Sequence, residues 1–194
     1  HINHLTSLSK ISERHQIEYG NTTSIYNIQS GSLDPRTAED QIEPLQLENE
    51  QAIEGALFAS DVWKVNDQLE VNSAIRLPYY LSLGPKDINT YETGLPLLGS
   101  SVTGSERVES GQVESSFFGA ELRLSARYLV SDYASIKLGV NNAYQYLHTL
   151  SNNTAASPFD SWRLSNRYVR PQQAQKGSFG YAYREESDAY DLTL

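Results

Sequence analysis

The chain has 194 residues, of which 39% are hydrophobic, and it contains no cysteine and no methionine. The absence of cysteine excludes disulfides and thiolate metal sites. A formal net charge of −9 and a pI near 4.9 exclude a protein that binds the phosphate backbone, since such proteins present a basic face, so nucleic acid is not expected as a partner.

Four strands are predicted in the first half of the chain, where apolar and polar residues alternate. They span residues 5–11, 16–28, 52–65 and 69–78. Short polar turns at 12–14 and 66–68 join these strands in pairs, and residues 29–50, rich in carboxylates with Gly and Pro, predict an exposed loop. Pro78 is predicted to mark the point where the fourth strand leaves its ladder, because proline has no backbone N–H.

The region from Tyr79 to about Val113 is predicted to be irregular, because it is rich in Gly, Pro and Ser. An irregular stretch of this length counts against a compact soluble domain. A membrane barrel accommodates it, since such barrels carry long loops at one end.

The most regular pattern lies between Glu114 and His148, where two alternating runs meet at a turn at Ser131–Asp132. Apolar residues take the even positions, which in the first run are Phe118, Ala120, Leu122, Leu124, Ala126 and Tyr128. In the second run they are Ala134, Ile136, Leu138, Val140, Tyr144 and Tyr146. Asn142 is the one polar residue among them. Both runs are roughly two to three times as long as an ordinary strand of about 5–6 residues.

Long strands with one polar and one apolar face are typical of a transmembrane β-barrel, whose strands need about 9–11 residues to cross the bilayer. We therefore predict an all-β fold, a transmembrane antiparallel β-barrel, in which the even-numbered residues of 114–146 face lipid. Thirteen tyrosines against five phenylalanines fit aromatic rings at the boundary of hydrocarbon and water, although soluble β-sandwiches are also rich in tyrosine.

The last part of the chain predicts a second long loop over 150–172 and a hairpin that joins residues 175–183 to 189–194. Short turns then lie at one end of the strands and long loops at the other, which is the asymmetry of outer-membrane barrels. A start at His1 and an end in mid-alternation at Leu194 are expected of an internal segment of a larger protein, and equally of a processed or partial chain.

No motif of hydrolysis, nucleotide chemistry or metal binding occurs in the chain. It contains no Gly-x-Ser-x-Gly elbow, no P-loop and no His-Glu-x-x-His sequence, and its four histidines are scattered. We therefore predict neither an enzyme nor a cofactor.

Two parts of the chain carry a family resemblance. The hairpin from Ala56 to Leu69, continuing through Ser73–Arg76, contains an Asp-x-Trp-Lys strand that ends at a polar turn. It resembles a hairpin of TonB-dependent receptors, with Ala74 and Leu77 in place of the usual Gly and Tyr. The later stretches are similar to the branch with an N-terminal carboxypeptidase-regulatory-like domain ahead of the plug, and they span 144–152, 157–162 and 169–174.

The resemblance implies that residues 1–194 are part of one 22-stranded barrel domain and supply about eight of its strands, with long extracellular loops and short periplasmic turns. It implies a location in the Gram-negative outer membrane and a role in active import of a nutrient. The plug and the TonB box have no counterpart in the chain. The implied partners are outer-membrane lipid, the rest of the barrel and the plug, the TonB complex through those other regions, and a surface lipoprotein.

Candidate substrate-binding residues are the aromatic side chains in or beside the long loops and the cations predicted to point into the lumen. They are Tyr79, Tyr80, Tyr91, Phe159, Trp162, Arg76, Arg123 and Arg127. The aromatic rings offer stacking surfaces for a sugar or a chelate, with loop packing as the alternative. The cations, with Glu121 and Lys137, would pair with the plug or the substrate. The alternative is that each is a solvated or ion-paired residue of the barrel wall. An exposed ion pair of this kind contributes about 0–1 kcal/mol to stability.

Two other classes of protein share parts of this pattern. One is an outer-membrane barrel that does not transport, and the other is a soluble β-sandwich such as a lectin. The sequence leaves the nutrient open among siderophore, glycan, cobalamin and peptide.

Overall fold

A computed structural model of the protein describes residues 2–29, 32–33, 45–46, 49–150, 161–184 and 191–193. These residues form antiparallel sheets, with one 3₁₀ turn at Gly99–Ser101. The strands are β1 (Ile2–Ile11), β2 (His15–Ile28), β3 (Ser32–Leu33), β4 (Leu45–Gln46), β5 (Glu50–Lys64), β6 (Leu69–Leu83), β7 (Lys86–Tyr91), β8 (Val102–Val108), β9 (Val113–Phe118), β10 (Glu121–Ser131), β11 (Ala134–Gln145), β12 (Leu147–Leu150), β13 (Ser161–Leu164), β14 (Gln172–Arg184) and β15 (Asp191–Thr193). In this part of the chain, no helix has the length and apolar character needed to span a membrane.

One large antiparallel sheet dominates the fold. Its strand order is β1-β2-β5-β6-β10-β11-β14-β15, and β9 pairs with β6 beside the start of β10. The predicted all-β class is confirmed, and eight strands form the path of this sheet. Within the described residues β1 and β15 each pair with one strand, so the sheet is open rather than closed into a cylinder.

The alternation predicted for 114–146 gives the central strands two chemically different faces. Leu124 lies opposite Val140 on β11 and Ser73 on β6, and Leu138 lies opposite Phe179 on β14. Residues directly opposite each other project to the same side of a pleated sheet. On this side, called the apolar face below, Leu124 is 51% exposed and Phe179 is 70% exposed. The prediction that these apolar residues share one face is confirmed.

The other side of the sheet, the polar face, carries most of the charged strand residues and is partly covered. Short connections at 12–14, 65–68 and 132–133 define the turn end of the sheet. At the opposite end, called the hairpin end, the small hairpins β7–β8 and β12–β13 extend the chain. The main buried cluster lies here, where Tyr80 and Ala52 of the sheet pack against Tyr146 and Leu164.

Pro78 does not end β6, so that prediction is wrong. The strand continues to Leu83, and Pro78 lies opposite Ala56 of β5. The physical reason is on its other side, where β9 ends at Phe118 and β10 begins at Glu121. Gly119 in this gap donates its N–H to the Pro78 carbonyl at 3.1 Å. The interruption between β9 and β10 therefore coincides with the residue that lacks a donor.

The prediction that the region from Tyr79 to Val113 is irregular is wrong. It holds the end of β6, the whole of the β7–β8 hairpin and the start of β9. The alternation there is short, with Ile88 and Val108 buried between exposed neighbours, and the Gly and Pro residues fall in the connections. Short strands of this kind are hard to distinguish from loops by composition.

The two other predicted loops also contain paired strands. Short strands β3 and β4 pair within 29–50, and β12 pairs with β13 across 150–172. The remaining parts of these loops, 34–44 and 151–160, lie outside the described residues, as does 185–190 in the last predicted turn.

Gly20 is expected to be required for the pairing of β1 with β2. A Cβ at this position would overlap the backbone carbonyl of Thr6 on β1. Gly20→Val should therefore lower the free energy of unfolding by about 1–3 kcal/mol, the usual cost of overpacking, and speed hydrogen exchange in β1. Gly177→Val on β14 is the control, because an added Cβ there meets no heavy atom within 4 Å. Equal effects of the two substitutions would contradict this account.

Candidate functional site

A network of charged groups crosses the polar face of the sheet. Arg76 on β6 donates from Nη2 to Glu54 Oε1 on β5 at 3.2 Å and from Nη1 to Glu121 Oε2 on β10 at 2.9 Å. Tyr26 on β2 donates to the other Glu54 oxygen at 3.0 Å. The Tyr144 N–H of β11 donates to Glu121 Oε1 at 2.8 Å. One arginine therefore holds two carboxylates, and the network ties five neighbouring strands together.

A stack of aromatic rings lies next to this network, toward the hairpin end. The rings of Tyr80 and Tyr146 are parallel, with centroids 4.7 Å apart, and Phe117 packs against Tyr80 at 6.2 Å. The Tyr80 hydroxyl donates to the Ser165 carbonyl at 2.9 Å. The Tyr80 side chain is fully buried, and its hydrogen bond holds the segment after β13 against the sheet.

A cleft of about 400 Å³ opens at the hairpin end between β7 and the segment that follows β13. Tyr91 and Tyr168 meet edge to face there, with ring centroids 5.3 Å apart. The Tyr168 hydroxyl donates to the Asn89 carbonyl at 2.5 Å, and Arg163 pairs with Glu50 at 2.9 Å. The cleft combines an aromatic edge with polar groups that are already bonded to one another.

Arg167 clamps three segments at the same end of the sheet. Its Nε lies 2.6 Å from Glu114 Oε1 on β9, and its Nη1 lies 2.9 Å from Glu106 Oε2 on β8. These hydrogen bonds to Glu114 and Glu106 raise the pKa of Arg167 above its ordinary value. Burial raises the pKa of Glu114, but hydrogen bonds from Ser115 and Arg167 outweigh it, so the pKa of Glu114 lies below its ordinary value.

The predicted substrate-binding residues do not form one site. Arg76 and Tyr80 lie four residues apart along β6 and belong to the network and the stack, whereas Tyr91 lines the separate cleft. Tyr79 lies on the apolar face beside Gly55, where any Cβ would meet its ring. Trp162 on β13 is 54% exposed.

The two other predicted arginines, Arg123 and Arg127, are exposed on the polar face. Arg127 lies close to the turn end of the sheet, and its side chain contributes to a groove of about 560 Å³ there. Phe159 lies outside the described residues. The predicted role of all these residues in substrate binding stays a prediction.

Sequence reasoning names Glu121 beside Arg76 but does not predict their ion pair, and it misses Glu54 and the clamp around Arg167. The position of Glu54 in the strand pattern is a weak signal of its role. It has an even number in β5 and so shares a face with Ala52 and Ala56, which are buried. Arg167 has no such signal, since its partner Glu114 is 53 residues away in the chain. A contact of that separation follows from how the hairpins fold over the sheet and not from local pattern.

Comparison with known proteins finds no relative. The sequence matches no family model and no curated protein, and the structure matches no solved structure.

Removing Arg76 should leave two facing carboxylates without their shared cation. Breaking a buried pair costs about 3–5 kcal/mol, and since the Arg76 side chain is 31% exposed, we expect about 1–3 kcal/mol for Arg76→Leu. Arg123→Leu is the matched control on the same face, where the described residues supply no ion pair, and it should change stability by less than about 0.5 kcal/mol. Denaturant unfolding of both variants measures the difference, and equal costs would refute the role of the network.

The Arg167 clamp should weaken in acid. Since the pKa of Glu114 is lowered in the folded state, its stabilising contribution is complete above the ordinary value of 4.5 and is lost as the pH falls through the folded pKa. Glu114→Gln should therefore destabilise the protein at neutral pH, with a difference from the native protein that shrinks toward zero in acid. Thermal unfolding as a function of pH measures this difference.

Glu109→Gln serves as the control for the clamp. Glu109 is exposed in the connection between β8 and β9, and its carboxylate forms no ion pair within the described residues. Its replacement should have little effect at any pH. A loss of stability in Glu114→Gln that persists unchanged in acid would contradict the ionic origin of the clamp.

Proposed function

We propose that the chain forms part of the wall of an outer-membrane β-barrel that imports a nutrient by TonB-dependent active transport. The observation that carries the proposal is the division of the large sheet into an exposed apolar face and an opposite face with paired charges. Hydrocarbon accepts apolar side chains, while backbone groups are satisfied only between neighbouring strands.

The strand lengths agree with a bilayer crossing. β10 and β11 have 11 and 12 residues, and β5 and β6 have 15 each. A crossing takes about 9–11 residues, so these strands span the hydrocarbon and the longest extend beyond it. Counted from the turn end, β6 completes a crossing near Tyr79, and its last residues, β9 and the Arg167 clamp lie outside the membrane.

The distribution of aromatic side chains on the apolar face supports the same orientation. Near the turn end, partly exposed rings flank the strand ends: Tyr19, Trp63, Tyr128, Tyr133, Tyr181 and Tyr183. Toward the hairpin end, Tyr79 lies opposite Phe118, which is 74% exposed. Exposed aliphatic side chains lie between these levels, among them Leu57, Ile75, Leu122, Leu124, Leu138 and Val140. Aromatic girdles at two levels with an aliphatic band between them are typical of outer-membrane barrels.

This orientation assigns the turn end to the periplasm and the hairpin end to the cell exterior, where long loops belong. The cleft beside Tyr91 then opens outward, and the Arg76 network lies on the lumen wall. The open edges at β1 and β15 would be covered by the remaining strands of the barrel, because hydrocarbon offers unpaired backbone groups no partner.

The dependence on TonB rests on the sequence resemblance of the β5–β6 hairpin, whose Asp61, Trp63 and Lys64 precede the polar connection at 65–68. In the proposed mechanism the wall encloses a lumen, outer loops capture the nutrient, and a plug driven by the TonB complex opens the path. A surface lipoprotein partner belongs to the same proposal.

A soluble β-sandwich would cover the apolar face with a second sheet. Within the described residues no such layer covers Leu124 or Leu138, which are both more than half exposed. The open face therefore favours contact with lipid.

TonB dependence is tested in cells. If the full-length protein is an active importer, deleting its gene and deleting the gene for TonB should give the same growth defect on the limiting nutrient. Uptake that persists without TonB would point to a passive barrel instead.

Membrane insertion is tested by a charge on the apolar face. Leu124→Arg should impair assembly by about 2–4 kcal/mol if the residue lies near the midplane of the bilayer. Ser125→Arg is the matched control, because the next residue projects to the polar face, opposite Asn72 and Gly139. Folding into lipid vesicles, followed by the gel shift of the folded barrel, should separate the two variants. Similar behaviour of both would contradict the assigned faces.

A further inference from the structure

A group of cations that form no ion pair among the described residues lies on the polar face of β10, β11 and β14. Its members are Arg123, Arg127, Lys137 and Lys176, called the basic patch below. Arg127 is directly opposite Lys137, and Arg123 and Lys176 both lie opposite Asn141 from its two sides. All four side chains are exposed. Register therefore brings four positive charges together on three adjacent strands.

Within the part of the chain that the structure describes, four other arginines form ion pairs, unlike the members of the basic patch. Arg76, Arg107, Arg163 and Arg167 each hold at least one carboxylate within 3.2 Å. No member of the basic patch forms an ion pair with any residue that the structure describes. The chain has 24 acidic residues and only 15 basic ones, so a shortage of carboxylates does not explain this arrangement.

The contact of Arg127 with Lys137 is itself unfavourable. Like charges directly opposite each other on neighbouring strands destabilise a sheet. Glu70 lies opposite Arg127 on its other side and is the one carboxylate at this level, but it forms no ion pair with Arg127 among the described residues. An anion bound between the two cations would remove the repulsion.

Two members of the patch border a hollow of about 460 Å³. Arg127 and Lys137 line it together with Asn72, Ser125, Ser178 and the acidic residue Glu70. Gly139 lies at the bottom of the hollow and has no side chain to fill it. A Cβ at Gly139 would come within 2.8 Å of Ser178 Oγ. The volume lies within the range of about 300–1,000 Å³ that is usual for small-molecule sites.

The dimensions of the patch limit the size of the ligand. Strands lie about 4.8 Å apart and rise about 3.3 Å per residue, so the four cations cover an area of roughly 10 Å by 13 Å. Arginine forms bidentate bonds with carboxylate and phosphate, and the serine hydroxyls and the Asn72 amide supply further donors.

The geometry points to a binding site on the polar face for a compact anion with two or more carboxylate or phosphate groups. This inference rests on the proposed function, in which the face lines the lumen, and it names the chemical class of the imported nutrient. An anion that moves along the wall toward the turn end would lose part of its hydration shell and bind the cations of the patch instead.

The test measures binding of citrate and pyrophosphate to the purified full-length protein in detergent by titration calorimetry. Both probes should bind, with an affinity that falls as salt is added. The double variant Arg127→Gln/Lys137→Gln should bind at least about tenfold more weakly, as expected for the loss of charge-assisted hydrogen bonds. Its thermal stability should be unchanged or raised, since the like-charge contact is removed.

The matched control is Lys10→Gln/Arg170→Gln, which removes two exposed cations away from the patch. It should bind both probes as the native protein does. Failure of the native protein to bind either anion, as expected if an acidic protein segment fills the patch, would overturn the inference. Equal weakening in the control would overturn it as well. If the double variant does not fold, Lys137→Gln alone should still weaken binding.

Cell fractionation separates this inference from the function on which it rests. A protein that resides in the outer membrane but binds neither probe contradicts the ligand class alone. A protein that leaves the cells without detergent contradicts the barrel itself, whatever it binds.

Discussion

The pleat of the antiparallel strand determines which side chains share a face of the sheet. Because side chains alternate with a period of two, a register shift by one residue would move every apolar side chain of a strand to the polar face. Pairs such as Leu124 with Val140 and Leu138 with Phe179 fix that register across β10, β11 and β14. The same registers place Arg76 between Glu54 and Glu121, so the apolar face and the charge network are two consequences of one alignment.

The polar face is divided between its two ends. At the hairpin end the charges are paired and the rings of Tyr80 and Tyr146 are stacked, which fastens β12–β13 and the segment after it to the sheet. Toward the turn end the cations of the basic patch lie close together and form no ion pair with a carboxylate among the described residues. Paired charges build structure, whereas unpaired charges of one sign favour a ligand. A wall with both properties suits the lining of a transport path.

The sequence predicts this fold wherever alternation is long, as in β10 and β11, because apolar and polar side chains alternate there and project to opposite faces. The prediction from sequence fails where contacts of the backbone with distant residues determine whether a strand continues. Pro78 stays in its strand because Gly119 faces it in the gap between β9 and β10, a feature that no local pattern reveals. Of the candidate site, sequence reasoning places Arg76 on the polar face. It places Glu121 there too but does not predict the ion pairs of Arg76 with Glu54 and Glu121, which are 22 and 45 residues away, because these contacts depend on the register of three strands.

A spin-label scan along β10 in lipid bilayers measures which of its side chains face lipid and which face water. The chain has no cysteine, so single cysteines introduced at successive positions from 122 to 128 carry the label without interference. Molecular oxygen, which concentrates in hydrocarbon, should relax labels at even positions, and a water-soluble nickel chelate should relax those at odd positions. The two profiles should oscillate with a period of two in opposite phase. Profiles without alternation, or a chelate that reaches both parities equally, would contradict the assignment of one face to lipid and the other to water.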